Sequence, residues 1–118
     1  MDSITGLALG RIAVGTLSLI SPTLAAKALL LDPKANPQLS YVTRMFGSRE
    51  IALGALTLAS KGEARTRLVQ AGVAIDGADA FTGVACARSG ATSKTAGLML
   101  AAVAAGAVAT GIQGLQQG

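Results

Sequence analysis

Histidine and tryptophan are absent from this sequence, cysteine occurs once, and Phe and Tyr together supply three of its 118 residues. Without histidine, and with Cys86 alone, no metal site of the thiolate–imidazole kind can be assembled and no intramolecular disulfide can form. Nucleophile–base pairs built on histidine are excluded as well, and no phosphate-binding loop is present. The sequence therefore predicts a chain that is not an enzyme, with no catalytic residue, no metal and no cofactor. Charge is also scarce: 14% of residues are Asp, Glu, Lys or Arg, against about a quarter in a soluble domain. The net charge of +4 lies mostly in connecting segments. No basic face interleaved with aromatics is found, which argues against nucleic acid as a partner.

Apolar residues make up 51% of the chain, and 15 residues are glycine. Small residues in this proportion suit helices that approach closely in lipid. The length allows one domain, residues 1–118. Hydropathy and punctuation predict an all-α, integral membrane four-helix bundle, with spans at about 4–20, 39–60, 66–87 and 95–115. Ser21-Pro22 reads as a cap followed by proline in the first helical turn. Thr23 to Leu31 is too short to cross, so it is expected as a short interfacial helix after the first span. Asp32-Pro33 through Asn36-Pro37 reads as a loop, because proline disfavours helix in the residue before it. The fourth segment carries no charge between Thr95 and Leu115 and is the clearest span. A water-soluble bundle would need charged outer faces, which this segment lacks. Asp2 and Arg11 disfavour a cleavable signal peptide, so the first segment is read as a retained span.

Six ionisable residues fall inside the expected spans: Arg11, Arg44, Arg49, Glu50, Asp76 and Asp79. An unpaired charge at mid-bilayer costs at least about 2.5–3.5 kcal/mol by insertion scales, so these residues are expected to pair. Three are positive and three negative. Arg11, Arg49, Glu50, Asp76 and Asp79 lie near the centres of their segments, hence in one layer. Arg44 lies about 7–9 Å nearer one surface. Three- and four-residue steps place each charge on a stripe of small residues: Ala8, Arg11, Gly15, Ser18; Thr43, Gly47, Glu50, Gly54, Thr57; and Gly72, Asp76, Asp79, Gly83. Arg11 and Arg49 are predicted to contact Asp76, Asp79 and Glu50, either as a clasp that fixes helix register or as a functional site, a proton or ion relay or a binding site for a charged headgroup. Balanced signs favour the clasp, because a neighbouring arginine keeps an acid ionised. A second set of small residues, Gly6 and Gly10 with Ala102, Gly106, Thr110 and Gly114, is a candidate packing or partner face.

The run Phe46-Gly47-Ser48-Arg49-Glu50-Ile51-Ala52-Leu53-Gly54 resembles the G-x-R-E-x-x-x-G core of small four-helix bacterial membrane proteins of uncharacterised function. Arg11-x-x-x-Gly15, Asp76 and Asp79 fit that pattern too, and the Ala/Gly-rich style is similar to actinobacterial proteins. The chain also resembles LucB-like accessory subunits of the mycobacterial Mce lipid-import machinery. That resemblance implies a non-enzymatic accessory or scaffold subunit beside a lipid transporter, with membrane lipids and other membrane protein subunits as partners. It supplies no catalytic residues. The expected location is the plasma (inner) membrane, multi-pass, with cytoplasmic termini because the densest basic cluster, Lys61, Arg65 and Arg67, lies in the short middle loop. The alternative is an independent homo-oligomeric transporter of ions or small molecules that uses the buried charges. A third option is a lipid-binding regulator working through Thr23–Leu31.

Overall fold

The computed structural model describes residues 2–117. Among them are five helices and no strand: α1 (Ser3–Ile20), α2 (Pro22–Ala28), α3 (Leu39–Ala59), α4 (Gly62–Ser89) and α5 (Lys94–Gln117). Four are long and one is short. The Asp2 side chain caps α1 by accepting from the Thr5 amide at 2.6 Å. Pro22 then opens α2, where a missing N–H leaves no helical bond unmade. The loop beyond α2 is shaped by Leu30 at φ 64° and by Asp32, whose Oδ1 accepts from the Lys34 amide at 3.0 Å. Only Ser60 and Lys61 separate α3 from α4. Gly90 at φ 82° ends α4, and the Ser93 hydroxyl accepts from the Ala96 amide at 3.1 Å at the start of α5.

The long helices alternate in direction and form two tight antiparallel hairpins. In the first, Gly15 of α1 meets Gly47 of α3, and Ala8 meets Gly54; a Cβ on Gly15 would lie 2.6 Å from the Gly47 carbonyl oxygen. In the second, Gly83 of α4 meets Gly97 of α5, with an equivalent Cβ 2.7 Å from the Gly97 carbonyl oxygen. These approaches require glycine, since any side chain would force the backbones apart. The hairpins join through larger side chains of α1 on glycines of α5, Leu7 reaching Gly111 and Ile4 reaching Gly114. Ser3 N donates to Gln117 Oε1 at 3.4 Å, and Arg65 near the start of α4 reaches Asp2. These contacts share one end of the bundle; α2 and the α4–α5 turn occupy the other.

α1 and α5 are long and apolar enough to cross a membrane. α3 and α4 do not meet that measure, because their central turns carry the ionisable residues. α4 extends beyond the expected span at both ends, and its added first turn holds Glu63 and Arg65.

Candidate functional site: an ionic seam between two helical hairpins

The buried face of α1 is Ala8, Arg11, Gly15 and Ser18; that of α3 is Gly47, Glu50, Gly54 and Thr57. α4 buries Val69, Gly72, Asp76, Gly83 and Ala87. Each face is a line of small residues interrupted by one charge. Small neighbours bring the helices close, and the charge then lies within reach of the opposite helix.

Arg11 is the centre of the seam. Its Nη1 donates to both oxygens of Glu50, at 3.2 and 3.3 Å, and to Asp76 Oδ1 at 3.2 Å; its Nη2 donates to Asp76 Oδ2 at 2.6 Å. One guanidinium thus ties α1 to α3 within the first hairpin and to α4 of the second. Gly72 makes room for it: a Cβ there would lie 2.7 Å from Arg11 Nη2. The side chains of Arg11, Glu50 and Asp76 are all under 10% exposed. A planar guanidinium suits this bridging position because its donors form a fixed fork.

A second pair lies beside the first. Arg49 Nη2 donates to Asp79 Oδ2 at 2.7 Å, and Arg49 Nε stands 3.7 Å from Glu50 Oε2. That Nε is buried without a hydrogen-bond partner. Phe46 covers the guanidinium, its ring centroid 5.0 Å from Cζ, in cation–π range. This pair is not enclosed: the Arg49 and Asp79 side chains remain 35% and 37% exposed. A cavity of about 10 Å³ touches Arg11 and Thr57, room for about one water and far below a ligand-sized pocket of roughly 300 Å³ or more.

Arg44 does not join the seam. It is exposed and forms no ion pair among the described residues. The joined set is the two guanidiniums and three carboxylates expected to meet, a net charge of −1 when all are ionised; Arg44, which balances the six by sign, stays outside it. Five residues of helical rise separate Arg44 from the central layer, and its side chain points outward.

The second small-residue set is divided. A Cβ on Gly6, Gly10 or Gly106 would meet nothing within 4 Å, and Ala102 is exposed. The Thr110 hydroxyl donates to its own helix, to the Gly106 carbonyl at 2.9 Å. Gly114 alone packs internally, against Ile4. Outside the central segments, Arg65 Nη2 donates to Thr5 Oγ1 at 3.1 Å and pairs with Asp2 at 3.4 Å. The Asp2 carboxyl is held below its usual range, chiefly by the Thr5 amide hydrogen bond, with Arg65 adding to it. Sequence spacing did not signal this contact, because it depends on α1 and α4 standing diagonally across the bundle, within reach of a long side chain.

The chain matches no family model, no curated protein and no solved structure.

Proposed function

We propose that this chain is a multi-pass protein of the plasma membrane, with α1, α3, α4 and α5 as four spans, α2 at one interface and both termini cytoplasmic. Its role is that of a non-enzymatic accessory subunit in a larger membrane complex. The polarity of the molecule supports the membrane part. Ile20, Tyr41, Phe81 and Val103 are 61–78% exposed, while Arg11, Glu50 and Asp76 are buried. Water would penalise both choices; hydrocarbon favours apolar groups outside and paired charges inside. The long helices have 18 to 28 residues, about 27–42 Å, against a hydrocarbon core of about 30 Å.

The observation that carries the subunit role is the partly exposed Arg49–Asp79 pair. It sits at mid-depth on the exterior, flanked by exposed small residues, Ser48 and Ala52 on α3 and Ala78 and Thr82 on α4. A charge pair open to lipid is costly, and a small-residue rim lets another helix approach closely enough to cover it. A membrane-embedded partner fits this face. The resemblance to accessory subunits of Mce lipid import makes a lipid transporter the kind of complex proposed. Extraction in mild detergent followed by measurement of intact mass tests the role. A stoichiometric hetero-complex, lost on Asp79→Asn, is the expected result.

A second reading rests on the same pair: a second copy covers it, in a homo-oligomer that moves ions or small molecules through the seam. A mass equal to a multiple of this chain alone, with flux in liposomes, would favour that reading over the first.

A further inference from the structure

We propose that the crevice at the α4–α5 turn is a binding site for an anionic phospholipid, the phosphate held between Arg88 and Lys94 and an acyl chain laid along Val84, Ala87 and Leu98. The proposal rests on the membrane reading above. The crevice has a volume of about 430 Å³ and is lined by these five residues, within the range of small-molecule sites. Its lining divides by chemistry: three apolar residues lie along the helices and two cations lie at the end of the bundle.

The local structure explains both parts. Gly83 and Gly97 bring the two backbones into contact, and Ala87 packs against Gly97 one turn further on. With so little side-chain volume at the crossing, a furrow remains beside it between Val84 and Leu98. The turn then fixes the two cations. Gly90 in the left-handed region donates its N–H to the Cys86 carbonyl at 3.1 Å, and the Thr92 N–H reaches the same carbonyl at 3.4 Å. Ser93 caps α5. Arg88 therefore stands in the last turn of α4 and Lys94 at the first residue of α5, on either side of a four-residue connection. Neither forms an ion pair among the described residues, whereas Arg65 and Arg67 at the opposite end are paired with Asp2 and Glu63. Two unpaired cations at the headgroup level above an apolar furrow match the charge and shape of an anionic lipid; with the termini cytoplasmic, this crevice faces the outer leaflet.

The chain has no tryptophan, so Leu98→Trp gives a single reporter in the crevice. Fluorescence quenching by phosphatidylglycerol brominated on its acyl chains is compared with quenching by brominated phosphatidylcholine in reconstituted vesicles. Each basic residue near an anionic surface is worth about fivefold in partitioning, about 25-fold for two. Phosphatidylglycerol is expected to associate about 25-fold more strongly. The preference should fall to within about twofold when Arg88→Gln and Lys94→Gln are combined, and persist when Lys61→Gln and Arg67→Gln remove the same charge from the other end. Equal quenching by the two lipids, or a preference surviving Arg88→Gln with Lys94→Gln, overturns the lipid site and leaves the membrane reading standing. Loss of the preference on adding inorganic phosphate at the headgroup concentration reassigns the site to free phosphate and also overturns it. No quenching by either lipid overturns the site and the membrane reading together.

Discussion

Arg11 Nη2 donates to Asp76 Oδ2 at 2.6 Å across the middle of the bundle, through space that Gly72, one turn earlier on α4, leaves open. The same guanidinium serves Glu50 of α3. A single side chain thereby fixes the register of three helices. Removing one partner of such a buried pair costs about 3–5 kcal/mol, because the other charge is left without compensation. Asp76→Asn and Arg11→Ala are expected to reduce the amount of folded protein in the membrane severely. Arg11→Lys should fall well short of wild type, since an ammonium cannot hold both carboxylates in a planar fork. Membrane abundance, with resistance to denaturing detergent, is the readout.

Gly72→Ala should destabilise the protein by about 1–3 kcal/mol, the range for overpacking. Its Cβ would meet Arg11 Nη2 at 2.7 Å. Gly77→Ala, on the same helix with nothing within 4 Å, should be neutral or slightly stabilising, as alanine is the better helix former by up to about 1 kcal/mol. The contrast repeats between Gly47→Ala, which strikes the Gly15 carbonyl, and Gly10→Ala, which meets nothing. Detergent-unfolding midpoints of the four variants measure it.

Asp79→Asn and Arg49→Gln should affect folding less than Asp76→Asn, because their side chains are about one-third exposed and part of their interaction is screened or relaxed. Their larger effect is expected on assembly. The native complex should lose its partner while the chain itself stays in the membrane, and Arg49→Asp with Asp79→Arg should restore part of the association. Intact mass after mild extraction reports both.

The Asp2 carboxyl, held low by the Thr5 amide and Arg65, makes a pH-dependent cap. A depressed pKa means that the contribution is full above the ordinary Asp value of 3.8 and is lost as pH falls through the lower, folded value. Hydrogen exchange at the Thr5 amide, compared at matched intrinsic rates, should accelerate only below that ordinary value. In Asp2→Asn the acid-dependent step should vanish.

The central charges and their faces were legible because both signals are local. Steps of three and four residues put Arg11 with Gly15 and Ser18, and Asp76 with Gly72 and Gly83, on the faces that the fold buries. What spacing cannot encode is which helix stands beside which. Arg11 reaches both Glu50 and Asp76, Phe46 covers Arg49, and Arg65 meets Asp2; all depend on the arrangement of two hairpins. Arg44 appeared to balance the set by its sign, yet one helical turn and a half turns it outward. Gly6, Gly10 and Gly106 show a similar limit, since a four-residue step marks a possible contact face but not its occupant.

The most direct test of the account is the solvent exposure of Phe81, which is 75% exposed on the outer face of α4, two residues from Asp79. In a Cys86→Ala background, Phe81→Cys and Lys61→Cys are treated in intact membranes with a water-soluble maleimide. A lipid-facing α4 predicts that Phe81→Cys stays unlabelled until the membrane is dissolved and the chain unfolded, while Lys61→Cys reacts from at least one side of the membrane. Equal labelling of the two positions in intact membranes would place the outer face of α4 in water and contradict the account.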